Sequence, residues 1–210
     1  MKRLLVLAFV CLAVVSCKKD DDNRNGNSNS CSSISQSNNR GLAIPDSCSI
    51  EPEIGYYNML VDGVVFEKCG LGGYNSVSFN DVQGSDYGGQ TSDDGIFFVL
   101  YHPDDYSNIS QFLLNTDYDF LDEYTMDGDE CYGTMYIQYN EGNDAYISTP
   151  MNDLNNSYNH IQSVDYMQDN GTDKEYKVKG YIKTILHKYG NSSITKSIEG
   201  SYVFRIIVDF

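Results

Sequence analysis

From Glu175 to His187 and again from Gly200 to Asp209 apolar and polar residues alternate with a period of two, and no other property of the chain restricts its fold as tightly. Tyr176, Val178, Ile182 and Leu186 interleave with Lys177, Lys179 and Lys183, while Tyr202, Phe204, Ile206, Val208 and Phe210 flank Arg205 and Asp209. Successive side chains of a strand point to opposite faces, so each segment has one buried and one wetter face. Shorter runs upstream extend the pattern: Gly55 to Leu60, Val64 to Cys69, Ser76 to Val82, Ile96 to Tyr101, Gly133 to Tyr139, Asp144 to Ser148 and His160 to Met167. Asp62-Gly63, Asp94-Gly95, Asp127-Gly128 and Asn170-Gly171 lie between them and supply positive φ at tight turns, which join antiparallel strands. The 18 tyrosines, with no tryptophan, also suit strands better than a helical bundle. One segment departs from the pattern. In Pro103 to Leu114, Tyr106, Ile109, Phe112 and Leu113 fall at helical spacing after a proline suited to a first helical position, which allows one short helix there.

The amino terminus has another character. Lys2 and Arg3 precede an apolar run from Leu4 to Val15, too short for the roughly 20 residues that span a bilayer but long enough for an export signal. Residues 18 to 40 are mostly Asn, Ser, Asp and Gly, with too little apolar surface to offset chain entropy. A flexible tether with an end-to-end distance of about 30 Å is expected there. The expected organisation is a signal peptide over 1–16, a modified cysteine and tether over 17–48, and one antiparallel β domain over 49–210.

Val14-Val15-Ser16-Cys17 resembles the lipobox of type II signal peptides, in which small residues precede an obligatory cysteine whose thiol accepts a diacylglyceryl group. The resemblance implies cleavage before Cys17 and acylation of its new amino group. One acyl chain anchors only marginally, at about 0.8 kcal/mol per buried methylene, whereas two or three hold durably. Lys18-Lys19-Asp20-Asp21-Asp22 resembles the acidic surface-export signals of Bacteroidota lipoproteins, implying display on the outer face of the outer membrane. Retention on the periplasmic face is the alternative, with the charges as a solvated run. Val178-Lys179-Gly180-Tyr181 and Ile198-Glu199-Gly200-Ser201-Tyr202 resemble the paired strands that end many Bacteroidota lipoproteins of unknown function. That likeness implies a calycin-like meander forming a small barrel or sandwich, and carries no activity.

Beyond Cys11 and Cys17, four cysteines remain: Cys31, Cys48, Cys69 and Cys131. In an oxidising compartment four thiols suggest two disulfides. Three connectivities are open, and the sequential one pairs Cys31 with Cys48 and Cys69 with Cys131. The latter would close a loop of about 60 residues, worth about 4 kcal/mol in the chain-entropy account.

Few features point to chemistry. The net charge of -16 argues against nucleic acid, which needs a basic face. His102, His160 and His187 share no metal-ligand spacing, and no nucleophile-elbow, metalloprotease or P-loop motif occurs. Asp127, Asp129 and Glu130, or Asp117, Asp119 and Asp122, offer oxygen ligands for calcium, although solvated turns explain them more simply. Tyr56, Tyr57, Tyr101, Tyr106, Tyr118 and Tyr124 could form a platform for a glycan or protein partner, with strand packing as the plainer account. No cofactor is expected. The leading expectation is a lipid-anchored, non-enzymatic binding or structural module. A hydrolase would need a histidine with a buried carboxylate on one side and a hydroxyl on the other. A lipid or small-molecule carrier would need a closed barrel with an apolar cavity.

Overall fold

The computed structural model describes residues 34–36, 55–71, 74–79, 82–87, 94–112, 114–122, 132–151 and 153–209, of which 34–36, 70–71, 74–79, 82–87 and 94 are described by backbone alone. Cys17, the charged run after it, and Cys31, Cys48, Asp127, Asp129, Glu130 and Cys131 lie outside these residues, as do the expected leader and most of the expected tether.

The described residues form one mainly antiparallel sheet of thirteen strands. In chain order these are β1 (Ile34–Gln36), β2 (Gly55–Val61), β3 (Val64–Leu71), β4 (Tyr74–Phe79), β5 (Val82–Tyr87), β6 (Asp94–Pro103), β7 (Thr116–Tyr118), β8 (Phe120–Leu121), β9 (Met135–Glu141), β10 (Asp144–Ile147), β11 (Tyr158–Asp169), β12 (Asp173–Lys188) and β13 (Asn191–Asp209). The alternating segments at the end of the sequence are the longest strands and the spine of the sheet. β12 and β13 pair from Asp173 opposite Asp209 to Lys188 opposite Asn191. On its far side β13 pairs with β2, which pairs in turn with β3. The turn between β2 and β3 is Asp62-Gly63, with φ of 47° and 81°, the positive pair that a two-residue hairpin requires.

At the other edge of β12 the sheet forks. β11 takes Lys174 to Lys183, and β10 takes His187 and Lys188. One arm continues from β11 to β7 and β1, the other from β10 through β9 and β6 to β5 and β4. The second arm turns back toward the spine, bringing Phe98 of β6 against Tyr57 and Phe204 at ring centroid distances of 5.3 and 5.5 Å. Tyr139 of β9 likewise meets Phe66 of β3 at 5.4 Å. These rings, with Met59, Ile137, Val178, Ile206 and Val208, form the main core. Each large apolar side chain so buried contributes about 1.5 to 3 kcal/mol.

Several expectations need correction. The sheet is not a closed barrel: among the described residues β3 pairs with β2 alone, β4 with β5 alone, β1 with β7 alone and the short parallel β8 with β9 alone, so the sheet keeps open edges. Sharing one edge of β12 between β10 and β11 splits the sheet instead of curling it round. The disulfide expectation is cut back as well: no disulfide joins two described residues, and Cys69, the only cysteine among them, is disulfide-bonded, so neither expected pair is carried further. The run Ser76 to Val82 is not one strand but the meeting of β4 and β5, which pair with each other. Asp94 and Gly95 make no turn, since they open β6 and pair with Glu141 and Asn140 of β9. The short helix exists as a 3-10 turn, Tyr106–Gln111, started by Asp105 and not by Pro103. Asp105 satisfies an orphan amide by accepting from the Ser107 backbone N–H at 2.7 Å, while Pro103 is the buried last residue of β6.

Candidate binding groove

The 3-10 turn packs over the far end of β11 and β12, and an open apolar groove of about 350 Å³ runs between them. Its lining comes from the turn and the few residues after it (Ile109, Ser110, Phe112, Leu114) and from the strands (Val164, Tyr176). The strand side follows from register: Val164 opposes Val178 and Tyr166 opposes Tyr176, so β11 presents its apolar face there. The turn side follows from the three-residue spacing of Ile109 and Phe112, which brings both onto one side of a 3-10 turn. Leu114 is 49% exposed and Tyr166 57% exposed, so apolar surface at the groove is open to solvent.

Aromatic rings and charge mark one end of the groove. Tyr166 meets Tyr176 edge to face at 5.7 Å. Lys174 lays its Nζ 3.7 Å from the centre of the Tyr106 ring, a cation–π contact. Burial pushes the Tyr176 phenol up, and the nearby phenols of Tyr166 and Tyr106 and the carboxylate of Asp169 push it the same way. Behind this end Glu175 is nearly buried. Burial would raise its carboxyl, but hydrogen bonds from Arg205, Gln168 and Asn170 outweigh that and hold it below the ordinary value.

The other expected site residues are elsewhere. Tyr56, Tyr57, Tyr101 and Tyr118 are buried, so they make no surface platform; Tyr124 lies outside the described residues, and among the described members of that set Tyr106 alone is exposed. Tyr166 and Tyr176 were legible only as strand residues, because nothing local marks where a strand face outruns its covering. Asp117, Asp119 and Asp122 do not converge. Asp119 accepts from the backbone N–H groups of Phe120 and Met151, and Asp122 is exposed. Among the described residues no group of three His, Cys, Asp or Glu could hold a metal ion.

Asp117 instead lies fully buried opposite His160, its Oδ1 2.7 Å from Nδ1. This is half of the arrangement a hydrolase needs. The second half does not assemble among the described residues: the Ser157 hydroxyl bonds Thr184, that of Ser148 bonds Ile137 N–H and the Leu121 carbonyl, and the Tyr202 phenol donates to Asn159. His187 bonds the Ser192 carbonyl and His102 the Pro103 carbonyl through Nδ1.

Fold and groove together define a small, open antiparallel β domain with an aromatic-edged apolar cleft. Comparison with protein-family models, curated proteins and solved structures finds no match.

Proposed function

We propose that this chain is a lipid-anchored, non-enzymatic binding module held outside the cytoplasm through Cys17, and that the groove beside the 3-10 turn is its contact surface. The observation that carries this reading is the groove itself, an opening about as large as the smaller ligand sites, with exposed Leu114 in its lining and exposed Tyr166 against the lining ring of Tyr176. The anchor is inferred from the likeness of Val14 to Cys17 to a lipobox, and outer-face display from the acidic run Asp20 to Asp22. In the same reading the meander of β11, β12 and β13, facing the folded-back arm, is sandwich-like. The groove assignment is tested with a neutral apolar dye, Nile red, whose fluorescence should rise on binding the full chain. The double variant Leu114→Ser, Tyr166→Ser should abolish that rise without changing the circular dichroism spectrum. Undiminished dye binding would remove the groove as the contact surface.

A further inference from the structure

We propose that the groove takes a cationic amphipathic peptide, with apolar side chains against the groove lining and a lysine or arginine side chain against the ring of Tyr166. The proposal rests on the groove being a contact surface and adds the chemistry of its occupant.

The rim already shows its preference. Tyr106 accepts an ammonium on its ring face in the folded chain, with Lys174 Nζ at 3.7 Å. Tyr166, at the same end, is 57% exposed and meets Tyr176 edge to face, so ring surface of the same kind is turned to solvent. A cation within about 6 Å of such a ring is attracted by its quadrupole.

Strand register sets the surrounding charge. Asp169 opposes Lys174, which places its carboxylate on the sheet face that carries Lys174 and Tyr176. Asp173 and Asp209 face each other on the opposite side of the same end of the sheet. An incoming cation is favoured by the ring and the Asp169 carboxylate together, whereas an anion meets like charge. The net charge of -16 acts in the same sense at longer range, steering basic partners in and acidic ones away. Charge alone would accept any polycation. The apolar lining of Ile109, Phe112, Leu114 and Val164 adds a requirement for apolar side chains next to the positive one.

Fluorescence anisotropy with three labelled peptides tests this on the full chain: one alternating lysine and leucine, one alternating serine and leucine, and one alternating lysine and serine. The lysine–leucine peptide should bind tightest. Tyr166→Leu, which keeps apolar bulk but removes the ring, should weaken that peptide about two- to fivefold and leave the serine–leucine peptide unchanged. The double variant Leu114→Ser, Tyr166→Ser should weaken both leucine-containing peptides. Both positions are exposed, and an unchanged melting temperature verifies the fold. Equal binding of the lysine–serine peptide, insensitive to these variants, would overturn the proposal by showing bulk charge attraction only. Groove-dependent binding in which serine–leucine matches lysine–leucine would overturn the cationic occupant while leaving the groove standing. Absence of groove-dependent binding by every peptide would overturn both.

Discussion

Single buried side chains tie this domain to pH. His102 is fully buried, and burial pushes its imidazole down to about 4, against a smaller upward effect from the Pro103 carbonyl. The unfolded chain therefore binds the proton more readily than the folded one. Stability from this residue is complete above the unfolded value near 6.5 and is lost as pH falls toward 4, on the order of 3 kcal/mol in all. Denaturant melts from pH 7 to pH 4 should show that loss in the parent and a shallower slope in His102→Asn. Identical slopes would assign the proton uptake to another group. Glu175 acts in the same direction, because its lowered carboxyl stabilises the fold above its unfolded value and ceases to do so as pH falls through the folded one. Neither effect could be foreseen from the sequence, where His102 reads as a polar residue at the end of an apolar run.

At the scale of elements, the glycines of the two long strands have a packing role. The Tyr202 ring of β13 crosses over Gly180 of β12, and its phenol reaches Asn159 of β11 at 2.8 Å. A Cβ on residue 180 would overlap that ring and crowd the His160 carbonyl. Gly180→Ala should therefore cost about 3 kcal/mol, as overpacking of a filled core does, and the cost should shrink in a Tyr202→Ala background, since the clash is then removed. A chemical-denaturation cycle over the four proteins measures the coupling; additive effects would show that the ring is not the obstacle. These long strands were legible because a period of two sustained over many residues has no competing interpretation. β1, β7 and β8 were not, being two or three residues long, and β7 hides Asp117 in a stretch that reads as solvated turn. The 3-10 turn was half legible. The spacing of Tyr106, Ile109 and Phe112 revealed it, but Asp105 and not Pro103 starts it, because the ladder of β6 holds the proline. The groove was not legible at all, since it arises where two elements distant in sequence fail to cover each other.

For the whole molecule, the inferred anchor and the folded part are separable. In the proposed arrangement every membrane contact is made through Cys17, and no described helix is long and apolar enough to cross a bilayer. Cys17→Ala should abolish fatty-acid labelling and shift the protein from the membrane to the soluble fraction, while its β domain keeps the same melting temperature. Labelling that persists in the variant would defeat the anchor assignment. Labelling that disappears together with the fold would mean that the lipid supports the domain itself.

The pairing of β2 with β13 has a consequence for how the chain is made. Val61 lies opposite Ile198, and Tyr56 opposite Val203, so early and late strands are neighbours across the spine. Synthesis must pass residue 203 before this seam can form, and closing so large a loop is slow in its own right. Under the proposed export, a polypeptide wired in this way would stay unfinished while it threads through a translocation pore and would complete itself only on the far side, without a prematurely knit sheet to be pulled apart on the way.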